Sequence, residues 1–176
     1  MPTGWLAPDR YLTSVLKIEA DWLQAQGITT LLLDIDNTLV SRDTQLVSGA
    51  IRDWARQLTE QGFNLFLVTN NWHRVVFDTA AELGLPIVYK SMKPLPFNFY
   101  KALRRLGVRR QQAMVVGDQM MTDVLGARLA GIKVIMVQPL AKTDLVHTKL
   151  LRNVEKILLA DRQPEDLVGN EVKDEH

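Results

Sequence analysis

Length, composition and charge describe an ordinary globular domain. The chain has 176 residues, of which 47% are hydrophobic and 23% are charged, and its formal net charge is +1 at pH 7. These values exclude a largely disordered chain and argue against a strongly basic nucleic-acid binder. The sequence has no cysteine, which excludes disulfide frameworks, thiolate nucleophiles and sulfur-ligated metals. We expect a single domain over residues 1–176 in a reducing, cytoplasmic setting.

The two ends of the chain carry weaker patterns than its centre. Residues 1–26 contain apolar side chains that charges and prolines interrupt, which fits neither a signal peptide nor a spanning helix. We expect this extension to pack on the core. Residues 145–159 place leucines, valine and isoleucine at helical spacing, which predicts a terminal helix docked on the core, with a membrane or partner face as the alternative. Residues 161–176 are predicted to form a flexible tail.

Five apolar runs between these ends are strand-sized: residues 28–33, 63–68, 86–89, 113–116 and 133–137. They are continuous rather than alternating, which is typical of parallel strands that are buried on both faces. Helix signals separate the runs, and we predict helices that begin near Ser48, Asn71 and Pro94 and end at Gly62, Gly84 and Gly107, with a short fourth helix ending at Gly131. This alternation predicts an α/β fold: a doubly wound, Rossmann-like sheet of about five parallel strands flanked by helices.

The first of these runs ends with two carboxylates two residues apart. Asp34 and Asp36 follow three leucines. Period-2 geometry places both side chains on one side of an extended segment. Two anions so close are costly unless a cation or a shared proton joins them. We therefore expect a cation at this end of the strand.

Four short motifs occur in order along the chain, each just beyond a predicted strand or in a loop at the same sheet edge. They span residues 34–38, 68–71, 93–94, and 117–118 together with 122–123. Each motif alone is explained by turn chemistry. The set resembles the four signature motifs of the haloacid dehalogenase (HAD) superfamily, and residues 117–126 are similar to its YqeG-like branch, the subfamily IIIA phosphatases. The resemblance extends over about residues 5–160.

This resemblance implies an Mg²⁺-dependent phosphomonoester hydrolase. Asp34 is the expected nucleophile, which forms an aspartyl-phosphate, and Asp36 is the expected general acid and base. The family's metal ligands correspond to Asp34, the backbone carbonyl of Asp36, and Asp118, with Asp123 supporting that shell directly or through water. A proton donor at the second position fits an alkoxide leaving group, which indicates a phosphatase rather than a dehalogenase.

Other residues of the motifs are expected to bind the phosphoryl group. Thr69 and Asn70 supply a hydroxyl and amide donors, and Lys93 supplies a positive charge and counts among the catalytic residues. Clustered carboxylates need a cationic neighbour, which favours this role for Lys93 over that of a surface lysine. Lys90 lies close enough in sequence to take its place.

Four further residues near the motifs are candidates for contact with the rest of the substrate: Asn37, Asn71, His73 and Arg74. Residues 40–62 and 71–92 leave no space for a cap domain, so we expect an open site. An open site favours phosphoproteins, nucleic-acid ends or a lipid head group at a membrane, while a small metabolite needs a second subunit to cover it. The resembled branch adds phosphatidylglycerophosphate as a candidate substrate, with the protein peripheral at a membrane. The non-enzyme alternative is a catalytically silent binding module.

Overall fold

The computed structural model describes residues 4–141 and 163–168, and its centre is one parallel sheet. The six strands lie in the order β1-β6-β5-β2-β3-β4, and every neighbouring pair is parallel. Their bounds are β1 Arg10–Leu12, β2 Thr30–Leu33, β3 Asn64–Val68, β4 Ile87–Val88, β5 Ala113–Gly117 and β6 Lys133–Val137. The predicted doubly wound α/β fold is confirmed.

Within residues 4–141 and 163–168, six α-helices surround or follow these strands: α1 Ala20–Ala25, α2 Gly49–Glu60, α3 Arg74–Leu83, α4 Phe97–Leu106, α5 Leu125–Ala130 and α6 Glu165–Val168. Ser48 caps α2 as predicted, because its Oγ accepts a hydrogen bond from the N–H of Ile51 at 3.3 Å. Gly84 ends α3 in the left-handed conformation, with φ of 64°, which a side chain would disfavour. No helix in the described part of the chain is long and apolar enough to cross a membrane.

Helices cover both faces of the sheet, and the strand residues divide between the faces accordingly. Leu31 and Leu33 of β2 pack in one apolar cluster with buried residues of α1, α2 and α3. Leu32, between them, packs in a second cluster with buried residues of α4 and α5. Burial on both faces explains why the strands are continuous apolar runs. Residues 34–63 hold one loop and α2 between β2 and β3, and residues 69–86 hold α3 between β3 and β4, so neither connection contains a separate domain.

The sixth strand, β1, is the main difference from the prediction of about five. It has only three residues and pairs with the edge of β6, where Tyr11 lies opposite Met136. So short a strand carries too little periodicity to be recognised in a sequence. The end of the described chain lies against it, since the Thr13 N–H donates to Asp166 Oδ1 at 2.9 Å. The helix predicted over residues 145–159 falls outside the described residues.

Two helix starts also differ from the prediction. Helix α3 begins after His73 rather than at Asn71, whose side chain instead accepts from the His73 N–H at 2.9 Å and donates to Asp36. Helix α4 begins at Phe97, after Pro96, whereas Pro94 lies in the preceding loop. In both cases the expected start residue belongs to the loop that forms the edge of the site, and the helix begins two or three residues later.

Candidate active site

Three strand ends bring the predicted residues to one edge of the sheet. Strand β2 is central, with β3 on one side and β5 on the other. The chain leaves β2 towards β3 and β4 and returns to β5, so the strand order reverses beside β2. Open α/β sheets bind ligands at the carboxyl end of such a position. Asp34, Thr69 and Asp118 follow these three strands directly, as predicted.

The loop after β2 turns sharply and directs Asp36 towards the neighbouring strand end. The N–H groups of Thr38, Leu39 and Val40 all donate to the carbonyl of Ile35, at 2.9–3.2 Å. Asn37 takes the left-handed conformation, with φ of 61°, which asparagine tolerates better than most residues. The turn therefore depends on the local sequence.

The carboxylate of Asp36 is held by hydrogen bonds from the loop that follows β3. Its Oδ1 accepts from Asn71 Nδ2 at 3.1 Å, and its Oδ2 accepts from Thr69 Oγ1 at 3.4 Å. The Thr69 hydroxyl also accepts from the Asn71 N–H at 3.0 Å. Asp36 thus lies near Asp34, but different hydrogen bonds orient its carboxylate.

Lys93 occupies the centre of the site. Its Nζ lies 2.5 Å from Asp34 Oδ1 and 2.7 Å from Asp123 Oδ1, and all three side chains are buried. Burial opposes the charge of this ammonium, but the carboxylates of Asp123 and Asp34 outweigh that effect and raise the pKa of Lys93 above its ordinary value. Lys90, the alternative, is exposed, with its Nζ 5.6 Å from the centre of the Trp72 ring. The geometry favours Lys93 as the cation of the site.

Three buried carboxylates meet around this lysine. Asp34, Asp118 and Asp123 each offer an oxygen atom within 4.8 Å of the others. Burial raises the pKa of Asp34 to about 7, although Lys93 opposes the rise, and Asp123 adds to it. Burial, followed by the charges of Asp34 and Asp123, raises the pKa of Asp118 well above its usual value. One ammonium does not neutralise three carboxylates.

The excess negative charge and the all-oxygen donor set fit a hard divalent cation. Mg²⁺ uses one or two carboxylates and keeps several water molecules. The backbone carbonyl of Asp36 accepts no hydrogen bond from the described residues, which leaves it free as a further ligand. Thr38 Oγ1 donates to Asp118 Oδ1 at 3.3 Å and orients that carboxylate. The residues present therefore fit the predicted metal: Asp34, the Asp36 carbonyl and Asp118 would hold it, while Asp123 is bound to Lys93.

Asp123 reaches this cluster because Gly117 has no side chain. A Cβ atom at position 117 would lie 2.2 Å from Asp123 Cγ, far inside contact distance. A π-helical turn over Met120–Val124 carries Asp123 back towards the end of β5. There its Oδ2 accepts from the Gln119 N–H at 3.1 Å. Close packing against Asp123 thus requires a glycine at this position of the fourth motif.

Asn70 has a different environment from the one predicted. Its side-chain carbonyl accepts from the Lys93 N–H at 2.7 Å and from Ser91 Oγ at 2.8 Å. Its Nδ2 donates to the Lys93 carbonyl at 3.0 Å. These bonds fix the loop that carries Lys93, including Lys90 and Met92, which have positive φ angles of 49° and 52°. The Asn70 amide side chain therefore positions the lysine, and its backbone N–H donates to no described residue and is available for a phosphoryl group.

An open cleft of about 380 Å³ lies over these groups. Of the four predicted substrate contacts, Asn71 and His73 line it. Asn37 does not, since it is buried and its Oδ1 accepts from the Arg42 N–H at 3.2 Å. Arg74 lines an adjoining hollow instead.

The cleft also contains four residues that the sequence analysis did not single out: Arg42, Trp72, Gln119 and Thr122. Three of them lie inside or next to a motif, so sequence position alone could have identified them. Arg42 lies outside every motif, and no sequence signal marks it.

Comparison with known proteins agrees with this geometry. The family model of the haloacid dehalogenase-like hydrolases matches residues 5–131. The chain is 32% identical over 153 residues to the probable phosphatase YqeG of Bacillus subtilis (strain 168), covering 87% of this chain and 89% of that protein. It is also 32% identical over 91 residues to a glyceraldehyde 3-phosphate phosphatase of Methanopyrus kandleri, covering 47% of this chain but only 39% of that protein.

Solved structures show the same fold at low sequence identity. The deoxy-D-mannose-octulosonate 8-phosphate phosphatase of Haemophilus influenzae, in its cobalt-bound form, is 14% identical, with a TM-score of 0.52, and the match covers 77% of this chain and 89% of that one. An uncharacterised protein from Listeria monocytogenes serotype 4b is 20% identical, with a TM-score of 0.53, and the match covers 76% and 98% of the two chains. The family model and the relative from Bacillus subtilis show that the chain belongs to the haloacid dehalogenase-like hydrolase family.

Proposed function

We propose that the protein is an Mg²⁺-dependent phosphomonoester hydrolase that acts through an aspartyl-phosphate on Asp34. The observation that carries the proposal is the buried Asp34 carboxylate, bound to Lys93 and flanked by two further buried carboxylates, with Asp36 separately oriented beside it. Two of the related proteins are named as phosphatases. The open cleft supports the view that no cap domain covers the site.

In the proposed reaction, a carboxylate oxygen of Asp34 attacks phosphorus and the bond to the leaving oxygen breaks. Asp36 gives its proton to that oxygen, so an alcohol departs. Asp36 then accepts a proton from a water molecule that attacks phosphorus. This second step releases inorganic phosphate and restores the Asp34 carboxylate.

The remaining residues of the site hold the reacting groups. Lys93 compensates the charge of Asp34, while Thr69 and the Asn70 backbone N–H are donors for phosphoryl oxygens. Asp34, the Asp36 carbonyl and Asp118 would hold Mg²⁺, which when bound would supply positive charge to offset that of the phosphoryl oxygens and of Asp34. Asp123 fixes Lys93 through its 2.7 Å contact.

Phosphate release from an aryl phosphate tests this proposal. We expect Mg²⁺-dependent release by the wild type and a loss of at least ~10³-fold in kcat for Asp34→Asn, because removal of a covalent nucleophile eliminates the first step. Asp53→Asn is the matched control, since Asp53 lies on α2 with its side chain 63% exposed. Equal rates for wild type and Asp34→Asn, or no release with any metal, would contradict the proposal, and the second result would favour a catalytically silent binding module.

A specific observation favours a lipid head group as the substrate over a phosphoprotein, a nucleic-acid end or a small metabolite. Residues 83–117 contain seven lysines and arginines and no acidic residue, although the whole chain has a net charge of only +1. Six of the seven are exposed. The same segment exposes large apolar side chains, including Met92 at 60% and Phe97 at 65%, close to Lys93 in the sequence. Cations combined with protruding apolar residues suit an anionic bilayer surface.

Vesicle sedimentation tests the lipid proposal. We expect the protein to bind phosphatidylglycerol vesicles and not phosphatidylcholine vesicles, and to release phosphate from phosphatidylglycerophosphate. The double variant Phe97→Ser, Arg104→Gln should lose binding, since it removes one apolar anchor and about 1 kcal/mol of attraction from one charge. Arg56→Gln on α2 is the control for charge alone. If the protein neither binds these vesicles nor releases phosphate from the lipid, the lipid proposal is refuted and the soluble substrates remain as the alternatives.

A further inference from the structure

The loop between β2 and α2 contributes to the cleft an arginine, Arg42, whose guanidinium has no partner among the residues that the structure describes. Arg42 forms no ion pair and no side-chain hydrogen bond with residues 4–141 or 163–168, whereas exposed Arg52 and Arg56 of α2 both have carboxylate partners. Arg42 is half-buried. A guanidinium presents five donors in a fixed fork that matches carboxylate and phosphate oxygens. A guanidinium in a cleft with no partner among the described residues is therefore available to bind an anion.

A second hollow, of about 520 Å³, continues from the catalytic cleft at this arginine. The two cavities share Asp36, Arg42, Asn71 and His73, and Arg74 contributes only to the hollow. The volume falls within the range of small-molecule sites. Among the described residues that line the hollow, Arg42 and Arg74 are cationic and Asp36 is the single acid. Arg74 Nε lies 3.4 Å from Asp78 Oδ2, but the Arg74 side chain is 90% exposed. Because exposed ion pairs are weak, Asp78 competes weakly with a ligand for this arginine.

The position of Arg42 is tied to the catalytic loop. Its N–H donates to Asn37 Oδ1, and Asn37 directly follows Asp36. Asn37 is buried in the left-handed conformation, and its N–H donates to the Val40 carbonyl at 2.7 Å. The arginine and the proposed proton donor are thus parts of one compact turn. A group that binds Arg42 therefore lies in the same cavities as Asp36.

We propose that this hollow, the Arg42 subsite, binds a second anionic group on the leaving-group side of the substrate. The inference rests on the proposed function, because it uses Asp36 as the donor to the leaving oxygen. The leaving oxygen lies against Asp36 during that transfer, and Asp36 forms part of both cavities. The remainder of the leaving group therefore extends into the hollow, where a carboxylate or a phosphodiester meets Arg42 and Arg74.

Matched synthetic substrates test the subsite. The first pair is 4-carboxyphenyl phosphate and its neutral amide, 4-carbamoylphenyl phosphate. The second pair carries the same groups on a two-carbon extension and so reaches further. For each pair, the preference is the kcat/KM of the acid divided by that of the amide, measured for wild type, Arg42→Gln, Arg42→Lys and Arg56→Gln. Comparison between variants cancels the intrinsic difference between the two leaving groups.

We expect Arg42→Gln to lower this preference about tenfold in at least one pair, the size of one charge-assisted hydrogen bond. Arg42→Lys should retain part of it, because charge remains but the fork is lost. Arg56→Gln should match the wild type. A preference that Arg42→Gln leaves unchanged in both pairs, while phosphate is released, would refute the subsite alone. No release from any of the four substrates would refute the proposed function and the subsite with it.

Discussion

The buried carboxylate of Asp34 should make the protein without bound metal less stable than a variant that lacks this charge. We predict that Asp34→Asn raises the free energy of unfolding in the presence of a chelator. The Asp34 side chain is 7% exposed, and burial is the main reason that its pKa is raised. An asparagine has nearly the same shape and keeps a carbonyl oxygen for Lys93, but it carries no charge to desolvate.

The size of the effect follows from the pKa of Asp34. A rise from 3.8 to about 7 is about three pKa units, and each unit corresponds to ~1.4 kcal/mol between the two protonation states. The upper limit of the gain in unfolding free energy is therefore about 4 kcal/mol at pH 8. Part of this cost is shared with Asp118, because the charge of Asp34 also raises the pKa of Asp118. We expect the unfolding free energy of Asp34→Asn to exceed that of the wild type by about 2–4 kcal/mol at pH 8. This stability gap corresponds to roughly 4–16 °C in Tm for a chain of this size.

The pH dependence has a definite sign. The pKa of Asp34 is higher in the folded state than in the unfolded state, so the native protein holds the extra proton between about pH 4 and pH 7. Wild-type stability relative to Asp34→Asn therefore falls as the pH rises through this range and is constant above it. The gap should be below about 1 kcal/mol at pH 4.5. Added Mg²⁺ should reduce the stability difference between Asp34→Asn and the wild type at pH 8, since binding to the charged carboxylates stabilises the wild type.

Urea unfolding followed by circular dichroism, with EDTA at pH 4.5 and pH 8, measures these differences. The control is Asp53→Asn, which removes an exposed carboxylate that is also paired with an arginine, at 3.0 Å. This control should change the stability by less than about 0.5 kcal/mol at either pH. The reasoning is refuted if Asp34→Asn is no more stable than the wild type at pH 8, or if the gap is the same at both pH values.

Two further substitutions test the packing that positions the site. Gly117→Ala should destabilise the protein by about 2–3 kcal/mol and reduce kcat at least tenfold, because the new methyl group would overlap Asp123 and displace it from Lys93; urea unfolding and phosphate release measure the two effects. Asn70→Ala should cost about 2 kcal/mol in unfolding free energy and reduce kcat with little change in the KM for Mg²⁺, since it frees the loop that carries Lys93.

Each of these substitutions has a control in the same chain. Gly49→Ala places the new methyl group 3.7 Å from Arg52 Nη2, the nearest atom apart from the backbone of its own helix. Asn64→Ala removes an exposed side chain at the start of β3. A kcat of Gly117→Ala equal to that of the wild type would show that activity does not depend on the observed position of Asp123. An unchanged kcat in Asn70→Ala would show that the Lys93 loop is held without these hydrogen bonds.

Local sequence patterns were sufficient for most of the fold. Five of the six strands are continuous apolar runs, because strands covered on both faces need apolar side chains in both directions. Parallel strands alternating with helices place their carboxyl ends at one edge, and this brought Asp34, Thr69 and Asp118 together in the prediction. Strand β1 was missed, since three residues at a sheet edge have no distinctive periodicity, and they form a strand only by pairing with β6.

The sequence by itself determined the α/β class, the family and the set of carboxylates at the site, because these depend on residue types at short, regular spacings. Only the tertiary structure decided which partners those residues have. In the structure, Lys93 rather than Lys90 contacts Asp34. The Asn70 side chain binds the loop that carries Lys93, and Arg42 lines the same cleft as Asp36. Such contacts join segments that are distant in the chain, and their energies depend on burial and distance, which no local pattern records.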